Sequence, residues 1–452
     1  MVDEKKVKFE RPRGTRDFRP EQMAQRRWLE GSFRETFRRH GYREIQTPTF
    51  EHTDLFRAKS GPNVVKEIYT FLDKGDREIC LRPELTAPVL RFYVNELSHE
   101  PKPLKLYYYG PCYRYEEPQE GRYREFWQFG LELIGPEGPA ADAEAIAVAV
   151  AALRGAGLRK FTLHVGHIGV LRALVDAVKA GPRTPEIFRK IDKDADDLED
   201  LLREISPDAG LAAAIASVAR HRRTVDLRQA SAIDAYFAEA ASMIPASVRA
   251  AGASGDGDVF DRGLRDLEQI AHLLAAHGVE RAELDLGVAR GLDYYTGTVF
   301  EFHADELGAQ SQIGGGGAYS LAELFGGEKV GSCGFGLGFD RILLALEKEG
   351  AVPASRASAD VYVATLGKGA QVAALALAQE VRARGVSVDV DTMGRGLGKA
   401  LQHAAKLGAR VALIVGEKGL AEGKVTVRDM TSGAQDDVTL AEAPGAIEKR
   451  LA

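Results

Sequence analysis

Residues 107–133 read YYYGPCYRYEEPQEGRYREFWQFGLEL, and the fold follows from this stretch. Two aromatic-rich runs flank the polar segment EEPQEGRYR, which predicts an antiparallel hairpin with a long tip. Side chains alternate across a strand. On the second strand Trp127, Phe129, Leu131 and Leu133 therefore face one way, as a core face does. Phe126, Gln128, Gly130 and Glu132 face the other way. On the first strand Cys112, Arg114 and Glu116 share a face by the same rule. One sheet surface would then carry Arg114, Glu116, Phe126, Gln128 and Glu132, with Arg122 and Arg124 at the base of the loop. Guanidinium groups suit a polyphosphate, an aromatic ring can stack on a base, and carboxylates can hold an amine or an imidazole N–H. An ordinary solvent-facing sheet with ion pairs would leave the same alternation.

Before the hairpin, Pro20 fits the first turn of a helix on which Leu29, Phe33 and Phe37 share a face, and Gly41 ends it. The runs REIQTPTF (43–50) and REICLRPELT (77–86) read as strands. From about Gly155 to Glu280 the chain is rich in Ala, Leu, Asp and Arg. This predicts a mostly helical insertion without catalytic spacing. Strands and glycine-rich turns return from Asp285 to Glu347. After the linker-like GAVPASRASA, the stretch from Asp360 alternates VYVATL, a helix ending near Arg384, VSVDVD, a helix from Arg395 to Leu407, and RVALIVGE. That βαβαβ order predicts a small parallel-type sheet flanked by helices. No short-period repeat is visible.

Two further constellations lie in the third zone. In ARGLDYYTGTVFEF (289–302), Arg290 and the pair Tyr294–Tyr295 sit between Gly291 and Gly297, with a strand expected from Thr298. An arginine among glycines can approach a charged ligand closely, and a tight turn with two core tyrosines fits equally. In GSCGFGLGFDRILLALEKEG (331–350), glycines precede a helix expected near Asp340, with Arg341 in its first turn. A cation is disfavoured at a helix N-terminus, so Arg341 suggests an anionic partner there, or a side chain that snorkels to solvent. GRGLGK (394–399) lacks the spacing of a nucleotide-binding loop.

The 452 residues include 60 basic and 66 acidic side chains, for a net charge of −6. This gives no global basic footprint, so nucleic acid would have to meet local patches. The longest apolar run, Ala145–Leu153, is too short to span a bilayer, and the charged N-terminus lacks the apolar core of a signal peptide. Cys80, Cys112 and Cys333 are far apart, which predicts neither disulfides nor a thiolate zinc site. The cytoplasm is the expected compartment. No catalytic metal site is expected either, and His164 and His167 read as a strand end.

With these residues in place, GPCYRYEEPQEGRYREFWQFGLELIG (110–135) resembles motif 2 of class II aminoacyl-tRNA synthetases. RGLDYYTGTVFEF (290–302) resembles the signature of histidyl-tRNA synthetases, and GFGLGFDRI (334–342) resembles motif 3. RPRGTRDF (11–18) and REIQTPTFEHTDLF (43–56) are similar to the family's start and motif 1. GRGLGKALQHAAKLGARVALIVGE and KVTVRDM are similar to its anticodon-binding domain. The resemblance implies an α+β catalytic domain with an antiparallel sheet in two parts, 1–178 and 281–350. It places a mainly helical insertion at 179–280 and a C-terminal α/β anticodon-binding domain at 359–452.

The resemblance also implies roles. Arg114 and Arg341 would hold the ATP phosphates, with Glu116 and Arg122 in the same nucleotide site and Phe126 stacked on adenine. Glu84, Thr86 and Gln128 would bind the substrate α-amino group. Glu132 and Tyr295 would read the imidazole, with Tyr294 beside them. Arg290 would contact the histidine carboxylate and the α-phosphate, and Arg114 would border the histidine as well. Magnesium would accompany the ATP, and motif 1 around Pro48 would form part of a homodimer interface. Histidine, ATP and tRNA(His) are the implied partners, without a membrane. A family pattern Gly-Gly-Arg-Tyr-Asp-Gly is replaced here by GGGGAYSLAELFGG (314–327), with Ala318 before Tyr319 and Ser320 after it. The insertion is expected to grip tRNA and to lack an editing site. Arg395, Lys399, Lys406 and Arg410 are candidate phosphate contacts in the last zone, where a solvated helix face would look the same. Two competing readings are a synthetase-like regulatory subunit of ATP phosphoribosyltransferase and a dinucleotide-dependent oxidoreductase. The retained arginines and the C-terminal domain oppose the first, and the defective glycine pattern opposes the second.

Overall fold

The computed structural model describes residues 9–192, 195–206, 208–243, 257–288, 294–354 and 359–452. The chain forms two compact units; the main division falls between Val352 and Pro353 in the GAVPASRASA segment, and the short stretch Pro20–Ala24 groups with the second unit.

The first unit is built on a nine-stranded sheet. In chain order its strands are β1 (Arg43–Glu44), β5 (Leu104–Tyr113), β6 (Glu125–Ile134), β7 (Thr162–His167), β8 (Arg222–Asp226), β9 (Arg281–Asp285), β10 (Tyr295–His303), β11 (Gln312–Tyr319) and β12 (Ser332–Gly338). In space they run β1-β5-β6-β12-β11-β10-β7-β9-β8. All pairs from β5 to β7 are antiparallel, as expected. Parallel pairs occur only toward the two sides, at β1/β5 and β7/β9. A small second sheet packs β2 (Phe50–His52), β4 (Glu78–Leu81) and β3 (Thr70–Leu72) in that order.

The first helix, α1 (Pro20–Arg39), buries Leu29, Phe33 and Phe37, the face that their spacing predicts. Their rings meet the hairpin's core face: Phe33 lies 5.2 Å from Phe129, and Phe37 lies 5.2 Å from Tyr107. Aromatic pairs of this kind add about 0.5–1.5 kcal/mol each beyond area burial. Gly41, at φ 80°, stops the helix. Its N–H donates to the Arg38 carbonyl and that of Tyr42 to Phe37, the paired bonds of a Schellman end.

The stretch 179–280 is helical as its composition predicts, with helices such as Ala209–Ala219, Ala230–Ser242 and Gly257–Ala276. It also supplies β8, which pairs with β9 at the sheet edge. Ile215, Phe237 and Leu267 belong to the same buried cluster as Phe129 and Phe335, so this stretch continues the main core instead of forming one of its own. One local expectation is corrected: the strand expected from Thr298 starts at Tyr295. In the zone of strands and glycine-rich turns, GGGGAY is strand β11 between β10 and β12.

The second unit carries a five-stranded sheet ordered β14 (Val388–Val390), β13 (Val361–Leu366), β15 (Val411–Gly416), β16 (Lys424–Asp429) and β17 (Gln435–Thr439). The first three are parallel, as the βαβαβ pattern predicts, and β16 and β17 add an antiparallel edge. Helices Gln371–Ala383 and Leu397–Leu407 contribute to separate buried clusters of this unit.

Candidate active site

A cavity of 510 Å³ opens over the middle of the large sheet. Glu84, Thr86, Arg114, Glu116, Arg122, Phe126, Gln128, Tyr294, Tyr295 and Arg341 all line it. Sequence positions 84 to 341 thus converge because β6, β12, β11 and β10 are adjacent. Arg290 lies outside the described residues.

Glycines shape the floor. Gly314, Gly315 and Gly316 of β11 line the cavity. A Cβ on Gly316 would overlap the Gly334 carbonyl and the Phe335 side chain, and one on Gly317 the Thr298 carbonyl and the Tyr295 ring. Only glycine lets the neighbouring backbones approach this closely.

One end of the cavity is cationic. The Arg114 Nε–H donates to the Pro83 carbonyl at 3.0 Å, its Nη1 stands 3.7 Å from Glu116, and its guanidinium lies 5.2 Å from the Phe126 ring centre. Burial and the nearby Arg122 pull Arg341 below the ordinary arginine value, while Glu116 opposes them. An arginine stays charged across the working pH range. Three guanidinium groups thus line this end with Glu116, while Asp340 beside them is taken up by other arginines, an arrangement that suits an anion with several oxygens.

Arg341 is set by its neighbour. Asp340, in the first turn of the helix Phe339–Lys348, is buried. It accepts from Arg26 Nη1 at 2.5 Å, Arg16 Nη2 at 2.6 Å and the Trp127 backbone N–H at 2.9 Å. These bonds tie the helix to α1 and to the hairpin, with Arg26 also lying 4.8 Å from the Phe339 ring.

The other end is acidic and aromatic. Glu84 accepts from the Thr86 N–H at 2.6 Å and the Ala87 N–H at 3.1 Å, capping the helix α3 (Thr86–Phe92). Lys59, near the end of helix α2 (Thr53–Ser60), places Nζ 3.2 Å from Glu84 and 4.9 Å from the Tyr294 ring centre. Burial lowers the affinity of this amine for its proton, yet Glu84, Tyr294 and Glu132 outweigh burial and leave the ammonium raised. The Tyr294 and Tyr295 rings stand 4.2 Å apart. Gln128 Oε1 accepts from the Cys112 thiol at 3.3 Å.

Glu132 is fully buried and does not line the cavity. It accepts from the Tyr108 hydroxyl at 3.0 Å and from the Tyr319 hydroxyl. Burial pushes its carboxyl up to about 7, against the hydroxyls of Tyr319, Thr86 and Tyr108. Gly130 and Gly334 make room for this cluster, since a Cβ on either would overlap Tyr108 or Glu132. Strand alternation gives the right face for Glu132 but not its depth.

Sequence reasoning missed Lys59, Tyr108 and Asp340. Tyr108 carries a usable signal, since alternation puts it on the face of Cys112 and Arg114. Asp340 is adjacent to Arg341 in a motif already singled out. Lys59 has none: a lysine in FRAKSG looks like a solvated helix residue.

A family model described as histidyl-tRNA synthetase matches residues 14–342, and one described as an anticodon binding domain matches residues 360–450. The histidine–tRNA ligase of Archaeoglobus fulgidus is 42% identical over 437 residues, which span 96% of this chain and 98% of that protein. That of Methanosphaerula palustris is 44% identical over 431 residues, spanning 95% and 97%. The apo histidyl-tRNA synthetase of S. aureus superposes with a TM-score of 0.69 at 28% identity, covering 97% of this chain and all of that one (100%). A Bacillus halodurans structure titled as an ATP phosphoribosyltransferase regulatory subunit/histidyl-tRNA synthetase superposes at 0.73 with 25% identity, but over 87% of this chain and 96% of its own. The match thus runs from Gly14 through the hairpin motif and Arg341 and on through the second unit, and by it this chain belongs to the histidyl-tRNA synthetase family.

Proposed function

We propose that this chain is a histidine–tRNA ligase: it activates histidine with ATP and transfers it to the 3′ end of tRNA(His). One observation supports this best. A single cavity joins a three-arginine end to an end built from Glu84, Gln128, Tyr294 and Tyr295, in a chain that also carries the anticodon-binding unit.

In this reading Arg114, Arg122 and Arg341 neutralise the ATP phosphates, Glu116 borders the nucleotide, and Phe126 stacks on adenine. Glu84, Thr86 and Gln128 take the α-ammonium group. Tyr295 and Tyr294 flank the imidazole, and Glu132 acts on it from behind the wall through Tyr108 and Tyr319. Arg290 is assigned the histidine carboxylate and the α-phosphate. The histidine carboxylate attacks the α-phosphorus in line and pyrophosphate leaves. The terminal ribose hydroxyl of the tRNA then attacks the activated carbonyl, and AMP leaves. No protein nucleophile is needed, so positioning and charge stabilisation carry the rate. Magnesium enters with the ATP as part of the substrate. Glu116 lines the cavity beside the arginines, and a carboxylate is the kind of donor a hard cation takes.

The homodimer and the cytoplasmic setting belong to the same proposal. The small sheet around motif 1 exposes Phe50, Phe71 and Leu72, apolar surface that a second copy would cover. No helix of the described residues is long and apolar enough to cross a membrane. In the second unit Arg395 is bonded to Asp391 and Arg410 to the Leu451 carbonyl, which leaves exposed Lys399 and Lys406 as the better candidates for tRNA phosphates. We assign the stretch 179–280 a role in gripping tRNA in place of any hydrolytic editing site. Hydrolysis of mischarged tRNA that vanishes on deleting it would refute that role.

The deciding experiment is amino-acid-dependent ATP–pyrophosphate exchange with all twenty amino acids offered separately. Exchange with histidine alone is the expected result. A folded protein that binds histidine without exchange would instead be a regulatory relative.

A further inference from the structure

On the sheet face around β7, the register gathers ionisable side chains from three adjacent strands. His164 of β7 is paired with Glu283 of β9 on one side and with Glu301 of β10 on the other. Asp285 and His303 lie two residues further along their strands, on the same face. The His164 Nδ1 atom is 3.2 Å from Glu283 Oε1, and the His164 and His303 rings are 4.6 Å apart. Asp285 is buried and the other four are half-buried. Three carboxylates thus crowd one patch, where like charges on neighbouring strand positions repel. Arg222, opposite Asp285 on β8, offsets only part of that charge.

We propose that His164, Glu283 and Asp285 form a binding site for a divalent transition-metal ion of the zinc or cobalt class. One ligand atom from each lies within 4.8 Å of the others. Ligands about 2.0–2.2 Å from a tetrahedral ion stand about 3.3–3.6 Å apart, close to the spacing of the His164 and Glu283 atoms. An imidazole with two carboxylates is a borderline donor set that favours such ions over magnesium or calcium. The imidazole ligates in its neutral form, so binding should weaken as pH falls. Beside these ligands lies a hydrogen-bonded group of side chains that meets them at the His303 ring. Glu301 is held by His303 Nε2 and Gln312 Nε2, each at 3.0 Å, and His303 Nδ1 is 3.0 Å from the Ser311 hydroxyl. The ion would fasten β9, and through it β8 of the helical stretch, to the strand next to the cavity.

The test uses the full chain, stripped with a chelator and free of ATP and histidine, titrated with Co2+ and followed by its visible d–d absorption, with Zn2+ calorimetry beside it. The expected result is saturable binding of one ion per chain and a higher thermal midpoint with Zn2+. His164→Ala and Asp285→Asn should each weaken binding by at least about tenfold. The more exposed cluster Asp234, Glu268 and His272 is the internal control. Binding that His272→Ala removes and His164→Ala leaves intact would mean an adventitious ion and overturn the proposal. So would a wild-type chain that takes up no ion, a result that needs no variant to fold.

Discussion

Asp340 and Arg26 form a buried pair, with Oδ1 and Nη1 2.5 Å apart and both side chains almost wholly out of solvent. The pair locks the helix that carries Arg341 onto α1. Removing one partner of a buried pair costs about 3–5 kcal/mol, because the other charge stays behind. Asp340→Ala should therefore lower the thermal midpoint sharply and raise the KM for ATP in whatever fraction folds. A variant with wild-type stability and wild-type ATP dependence would show that the pair positions nothing.

Arg341 and Arg114 serve the reaction directly under the proposed function. Replacing either by alanine removes one preorganised donor, which typically costs about 10²–10³ in rate. Pyrophosphate exchange should fall by that order while circular dichroism stays unchanged.

Lys59 should act on histidine and not on ATP. It neutralises Glu84 from inside the wall, at 3.2 Å. In Lys59→Met, Glu84 loses its counter-ion and shifts from its place at the head of α3. A misplacement of about 1 Å can cost about 10²-fold. Histidine kcat/KM should drop by about ten- to a hundredfold with the ATP KM little changed, and Lys59→Arg should recover part of the loss. An equal effect on both substrates would point to a purely structural role.

Glu132 ties stability to pH. Its carboxyl is raised to about 7 in the folded chain by burial, from an ordinary value of 4.5. Between those values the folded chain holds a proton that the unfolded chain has released. This contribution is complete below the unfolded value and is lost as pH rises through about 7. Glu132→Gln keeps a neutral group of the same shape. Relative to wild type, the variant should gain on the order of 1–3 kcal/mol in denaturant unfolding between pH 5 and pH 8. A difference that is flat with pH would place the carboxylate elsewhere.

Gly334→Ala should fail for a different reason. Its methyl would overlap the Glu132 carboxylate and the Leu131 carbonyl at the centre of the sheet. Overpacking of this kind costs about 1–3 kcal/mol. Gly336→Ala, two residues on, meets only the Gln128 amide at 3.5 Å and should be much milder. Comparable losses for both would argue against the crowding.

The hairpin of β5 and β6 was legible almost to the residue, because alternation and a polar tip are local signals. The pairing of β6 with β12 and of β10 with β7 was not, since each joins strands far apart in sequence and no local pattern encodes the partner. Strand β11 was hidden because four glycines carry no side chains to alternate. Glu132 was placed on the correct face, yet its burial depends on Tyr108 and Tyr319, one of them nearly two hundred positions away. His164 was read as part of a strand end, while it lies within β7 beside acids that come more than a hundred residues later.

The glycines of β11 also bear on how this cavity can change. Its floor there is peptide backbone, which has the same chemistry whatever the codon. Substitution can only add bulk to such a surface, and at Gly316 or Gly317 it meets another strand at once. Divergence among relatives, and any compound meant to tell them apart, must therefore work at the walls, where residues such as Arg122 and Phe126 present side chains instead of backbone.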